Sequence, residues 1–549
     1  MFARYVGLTG FVLLAVVGGP AVAQTGHEGH EFGSVHFEIS CSADSQQQFD
    51  RAVAMLHSFF YPETDKAFKT IAAKEPSCAM AQWGVAISQR PNPLTPPFAP
   101  TNLQQGWDAI QNARAAATAT PRERDWIEAM AVFFQNYDTV DQRIRTAQYA
   151  DAMAKLHAKY PNDSEASTFY ALSLLEAVDL SDKTYASQLK AAAILEQLEK
   201  TQPEHPGIVH YLIHSYDYAP IAEKGLPAAR RYAALASSAP HAVHMPSHIF
   251  STLGMWQEAI DSNVAADAAN IAYAQSVNPA AAANPASVAA RYHALDFLVN
   301  AYLQLAQDNR AKAIVDQRNS IAVMPASERI TNHTAYAAIP VRYAIERGAW
   351  AEAAALQPMT TPYKEAEAIV WFGRALGAAR SGDSAGAKKD LAELARLHQE
   401  IATTGDPYWA EQVGIQQAAA TAWIALAEKQ TARAIAAMQD AADREDRTEK
   451  NVAMENRLSP MRELLGELLL DAGKPADALP QFERSLEAVP NRGRSFDGAA
   501  RAAAQSGNRT LAVSYFKRLL ALTANADADR PALRAAREYV DQNGRSTPL

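Results

Sequence analysis

Residues 465–519 read LGELLLDAGKPADALPQFERSLEAVPNRGRSFDGAARAAAQSGNRTLAVSYFKRL. Ala478 and Phe482 recur as Ala512 and Phe516, each 34 residues further on. Leu465, Gly466 and Leu469 form one strip at helical spacing. Ala478, Phe482 and Ser485 form the next, and Pro490 stops it. In the following unit Phe496, Ala499, Ala500 and Ala503 precede Ala512, Phe516 and Leu519. Antiparallel helices approach closely only where small side chains meet. A period of 34 with small and aromatic residues at these places therefore predicts a helix–turn–helix solenoid. Each unit buries its apolar face on its neighbour, so a chain of 549 residues need not divide into globular domains.

This pattern resembles the tetratricopeptide (TPR) repeat: large, small, large on the first helix, then Ala, aromatic, small and Pro on the second. Weaker copies lie upstream. Trp83, Gly84 and Ile87 read as a first-helix strip, and Ala191, Leu195, Leu198 and Pro203 as a second. The stretches Ser77 to Gly84 and His244 to Phe250 resemble exported bacterial TPR proteins, a likeness that brings no catalytic residues with it. The fold expected is all-α, a right-handed superhelix of antiparallel helix pairs with loop insertions. Its concave groove implies a partner protein, a peptide or a small ligand.

The expected organisation has five parts. Residues 1–23 form a signal peptide: Arg4, an apolar run Gly10 to Val17, and a small-x-small site at Ala21 to Ala23. Cleavage near Ala23 would leave a periplasmic or secreted chain. Residues 24–44 form a flexible segment bearing His27, His30 and His36. Residues 45–380 hold irregular, His-rich repeats, residues 381–540 more regular ones, and residues 541–549 a tail. Insertions fall at Arg90 to Thr101, Asn278 to Ser287 and Thr403 to Pro407. The first is Pro-rich and reads either as a rigid cap on an edge or as a flap over the groove.

Export permits a disulfide between Cys41 and Cys78, which lie 37 residues apart, about one repeat. Thiolates for metal or redox work are the alternative. The net charge of −9 and the lack of a basic run argue against nucleic acid. No apolar stretch is long enough for a membrane span. Arg492-Gly493-Arg494 sits at a repeat junction and reads as a turn, with anion binding as the other use.

Any chemistry is expected between His205 and His293, where half of the 14 histidines fall. His210 and His214 stand at i, i+4, one above the other on a helix face, a spacing that can chelate a transition metal. His244 and His248 share that spacing, but Pro246 lies between them. Proline favours a first turn, so His244 is placed before the helix and His248 within it, which would not be a simple helical chelate. The two pairs are themselves 34 residues apart.

Three readings stay open. The imidazoles bond to backbone and to Tyr or Asp neighbours inside an Ala-rich wall. Alternatively, His57, Tyr211, His214, Tyr216, Asp217, His248, Tyr292 and His293 line a groove for a polar ligand, since the TPR resemblance implies that first helices face the inner wall. In the third, His210, His214, His244 and His248 hold zinc or copper. An HExxH arrangement, a GxSxG elbow, a Walker loop and a dinucleotide fingerprint are all missing, so no catalytic residue is assigned.

Overall fold

In the C-terminal repeats, packing shows why the 34-residue spacing requires small residues. A Cβ on Gly466 or Gly498 would fall 2.8 or 2.2 Å from the ring of Phe482. These glycines lie on the helices Met461–Asp471 and Gly493–Gln505. They let Phe482, on the intervening helix Pro475–Ala488, bury completely between them. Truncating such an aromatic costs about 3–5 kcal/mol. Ala478 and Ser485 share its buried face, and Ala512, Phe516 and Leu519 repeat the arrangement on Arg509–Leu522.

The computed structural model describes residues 31–116, 119–279, 284–321, 323–404, 406–455 and 457–544. The expected signal peptide, His27, His30 and most of the expected C-terminal tail lie outside these. The described residues form an all-α solenoid running from Ala43–His57 to Pro531–Asn543, with no strand among them. Many of the helices start on a proline in the first turn, where its missing N–H costs nothing: Pro121, Pro206, Pro240, Pro407, Pro475 and Pro531. No described helix is long and apolar enough to cross a membrane.

Packing is chiefly between helices adjacent in sequence, as a solenoid requires. One apolar core runs from Phe32 to Ile339, with Val489 added to it, and a second from Ala306 to Ala536. Distant segments also meet. The Trp256 indole N–H donates to the Asn491 carbonyl (2.7 Å). The Glu449 amide donates to the Leu180 carbonyl (2.9 Å), and the Tyr185 hydroxyl to the Glu449 carboxylate (2.6 Å). Arg492, read from sequence as a turn residue, is buried in ion pairs with Glu346 and Glu463, which tie one stretch of repeats to another.

The segment expected to be flexible is anchored from residue 31 onward. Phe32, Phe37 and Ile39 are buried, and Phe37 packs on Phe49, Trp83 and Trp126. Its amide donates to Asp50 (2.9 Å). Aromatic side chains in a polar stretch had somewhere to go, and their burial outweighs the entropy of ordering a short extended strap. Cys41 and Cys78 form the expected disulfide, which fastens the end of this strap to the start of the helix Ala79–Ser88.

Candidate metal centre

Five helices and their caps bring the histidines together, and they form two groups with different internal chemistry. The first group is His57, Glu165 and His205, all buried. His57 ends the helix Ala43–His57, and Gly207 makes room for it: a Cβ there would lie 2.4 Å from His57 Nδ1. His205 caps the helix Pro206–Tyr216, its Nδ1 accepting the Ile208 amide (3.3 Å). That fixes the tautomer, so His205 Nε2–H donates to Glu165 (2.7 Å). His57 Nε2 lies 2.9 Å from the other Glu165 oxygen, and its Nδ1 lies 2.9 Å from the Tyr211 hydroxyl. Every ring nitrogen is thus partnered, and protons point at the carboxylate. Burial pushes the Glu165 carboxyl up, but the two histidines more than offset this and hold it well below the usual range. Burial lowers His57, against the pull of Glu165.

The second group contains six histidines in two trios: His210, His214 and His241, then His244, His248 and His293. Helix Pro206–Tyr216 carries His210 and His214 on one face, with their Nε2 atoms 3.1 Å apart. His210 Nδ1 donates to the carbonyl of His57 (2.6 Å), a carbonyl at a helix C-terminus. Its Nε2 therefore carries a lone pair. That lone pair faces His214 Nε2 and also His241 Nε2, the latter at 3.2 Å.

His244 and His248 do not stand as the sequence suggests, one before a helix and one within it. Pro240–His244 and Pro246–Thr252 are separate short helices, but Met245 between them keeps helical dihedrals (φ −54°, ψ −36°). Proline at the first turn of the second helix costs little, so helical geometry runs through. The two rings therefore stack at i, i+4, with His244 and His248 Nε2 atoms 3.1 Å apart.

Both tautomers in this pair are fixed from outside. Asn263 donates its amide to the Ala259 carbonyl (2.8 Å), so its oxygen faces His244 and accepts from Nδ1 (2.6 Å). Asp217 accepts from His248 Nδ1 (2.9 Å), from Lys450 Nζ (2.9 Å) and from Thr252 (2.8 Å). Two lone pairs consequently face each other at 3.1 Å. His293, near the start of Tyr292–Gln304, completes this trio, and its buried Nδ1 has no hydrogen-bond partner among the described residues.

A phenyl ring stands against each trio. Phe59 lies 4.5, 6.1 and 5.3 Å, centroid to centroid, from His210, His214 and His241. Phe297 lies 4.7, 4.9 and 5.2 Å from His244, His248 and His293. The trios adjoin: the His214 and His248 rings are 5.8 Å apart, and those of His241 and His244 6.1 Å. Burial pushes His210 down to about 3 and His244 to about 4. Burial, then neighbouring imidazoles, holds His214, His241 and His293 well below the ordinary value, and His248 likewise, with Lys450 adding to it. Between His244 and His248, whose Nδ1 protons are already committed, uptake of a further proton is therefore disfavoured and both rings stay neutral.

A cavity of about 560 Å³ reaches this group at His214 and Asp217. Its walls come from distant parts of the chain: Leu94 and Pro96 of the Pro-rich insertion, Glu176, Tyr408 and Trp409, and Lys450. Lys450 thus joins the site from a repeat far along the solenoid.

Tyr211 is buried on His57. Tyr216 is buried with its hydroxyl on Glu196 (2.6 Å), and Tyr292 with its hydroxyl on the Ala286 carbonyl (3.0 Å). These three tyrosines line packed interior, not an open wall. His57 belongs to the proton-filled group, apart from the two trios. Sequence reasoning left His241 without a role. Its position three residues before His244 was the available signal, yet it joins the other trio. The roles of Glu165, His205, Asn263, Phe59, Phe297 and Lys450 carry no local signature.

No protein-family model matches the chain, and no curated protein matches it. Among solved structures, the chain is similar to one described as Naa15/Naa10 bound to HypK-THB, at 13% identity, covering 91% of each chain with a TM-score of 0.27. It is also similar to the P58(IPK) TPR domain, at 14% identity, covering 70% of this chain and 100% of that one with a TM-score of 0.21.

Proposed function

We propose that this chain holds two metal ions side by side, one in the trio His210, His214 and His241 and one in the trio His244, His248 and His293. The observation that carries the reading is the pair His244 and His248. Their Nδ1 protons are committed to Asn263 and Asp217, and their Nε2 lone pairs meet at 3.1 Å. Facing lone pairs repel unless a cation lies between them. On a tetrahedral ion with bonds of about 2.0–2.1 Å, two imidazole nitrogens sit about 3.3 Å apart. The observed 3.1 and 3.2 Å fit that within a few tenths of an ångström.

Outer partners that fix tautomer and ring direction are the usual support of a metal-bound histidine. Here they are Asp217, Asn263 and the His57 carbonyl. Imidazole-only donor sets suit zinc and copper. Three protein ligands per ion leave positions for small molecules arriving through the cavity. Export of the chain, expected from its N-terminus, agrees with the disulfide.

The test is metal content after reconstitution. Purified apo-protein dialysed against micromolar zinc or copper should retain two ions per chain by mass spectrometry. His210→Ala and His244→Ala should each retain one. A wild-type protein that retains none ends the proposal.

A further inference from the structure

Given that the two trios hold metal, we infer that the metal is copper and that the pair binds dioxygen between the two ions. The six donors are neutral imidazoles, with no carboxylate or thiolate among the atoms that converge. The adjoining carboxylate, Asp217, is held by His248, Thr252 and Lys450, and the lysine offsets its charge. Two permanently divalent ions would place four positive charges among buried rings, and burying uncompensated charge is costly. Two Cu(I) ions place only two there.

Dioxygen then fits without adding to that charge. Each Cu(I) gives one electron and becomes Cu(II). The oxygen molecule takes both, its double bond becomes a single bond, and the peroxide dianion lies between the ions. Two positive charges stand before the step and two after it, and no proton moves.

The geometry supplies what the step requires. Three ligands per ion leave coordination positions open. The trios adjoin through His214 with His248 and His241 with His244, so one diatomic ligand meets both ions. Phe59 and Phe297 line the two sides with apolar surface, which favours an apolar gas over water. The 560 Å³ cavity ending at His214 is the route of entry.

The experiment uses the full-length protein loaded with Cu(I) under nitrogen and then exposed to air-saturated buffer. One dioxygen should be consumed for every two copper ions. An intense near-ultraviolet peroxide-to-Cu(II) band should appear, with no Cu(II) electron paramagnetic resonance because the two spins couple. The band should fade under argon. Zinc-loaded wild type, with its sequence and fold unchanged, should show no band, and His293→Ala should keep one copper and lose the band. Two bound copper ions without oxygen uptake, or with uncoupled Cu(II) signals, would overturn this inference and leave the metal-site reading standing. Exclusion of copper with retention of two zinc ions would do the same. Retention of neither metal would overturn both.

Discussion

The chain buries two sets of histidines within a few ångströms of each other, and they have opposite polarity. In the set His57, Glu165 and His205, hydrogen-bond partners place protons on the inward nitrogens, and a carboxylate sits between the rings to receive them. In the six-histidine set, acceptors take the outward protons of His210, His244 and His248 and leave their lone pairs facing the neighbouring rings. The link between the sets is one carbonyl, that of His57, which accepts from His210. The lesson is that the density of histidines says little about metal. What decides is whether the outer partner is a donor or an acceptor.

The largest expected effect separates the two sets by metal affinity. His244→Ala should weaken one of the two ions by ~10³-fold, about 4 kcal/mol. Glu165→Gln should leave two ions per chain, which isothermal titration would read directly. If Glu165→Gln removes metal instead, the contrast between the sets is broken.

Next comes stability. Glu165→Gln puts an amide N–H against one of two imidazole donors in a buried pocket and should cost about 3 kcal/mol in urea unfolding of the apo-protein. Unfolding unchanged within error would mean that the carboxylate does not hold His57 and His205 together.

A smaller effect should come from the outer partner. Asp217→Asn should lower metal affinity by about 10–100-fold without changing the stoichiometry. Loss of an ion outright would make Asp217 a ligand and redraw the second trio.

The smallest concerns pH. His244 sits at about 4 in the folded chain and at its ordinary 6.5 when unfolded. A lowered histidine contributes stability that is complete above 6.5 and is lost as pH falls toward 4. Each pH unit in that window should take roughly 1.4 kcal/mol from the apo-protein per such group. Glu165, lowered from 4.5, keeps most of its contribution down to pH 4.5 and loses more only below it. The urea midpoint of the apo-protein should therefore drop between pH 6.5 and 4.5, and drop less in His244→Gln. Equal slopes would show that His244 is not the group being titrated.

Much of the scaffold was legible in the residues. Phe482 and the glycines facing it follow from a repeat that must bring helices close, and that rule is local. The disulfide was readable because a separation of 37 residues is about one repeat. The i, i+4 stacking of His210 on His214 was readable too, and that of His244 on His248 was not: Pro246 opens the second short helix without breaking the geometry through Met245. The inner-wall tyrosines were misplaced because the interior is filled by side chains from several repeats, where an open groove was expected. His241 shows the limit most clearly. It is three residues from His244, yet its Nε2 meets that of His210, 31 residues away, at 3.2 Å.

By itself the sequence determined the repeat length, the helical class and the vertical stacking of His210 on His214, since each depends only on residues within a turn or one unit. Tertiary structure alone decided which nitrogen of each ring faces inward. That choice depends on acceptors from other segments, such as the His57 carbonyl 153 residues from His210, and on Lys450 reaching Asp217 from 233 residues away. A lone pair's direction is set by what lies across space from the other nitrogen, and no spacing along the chain encodes it.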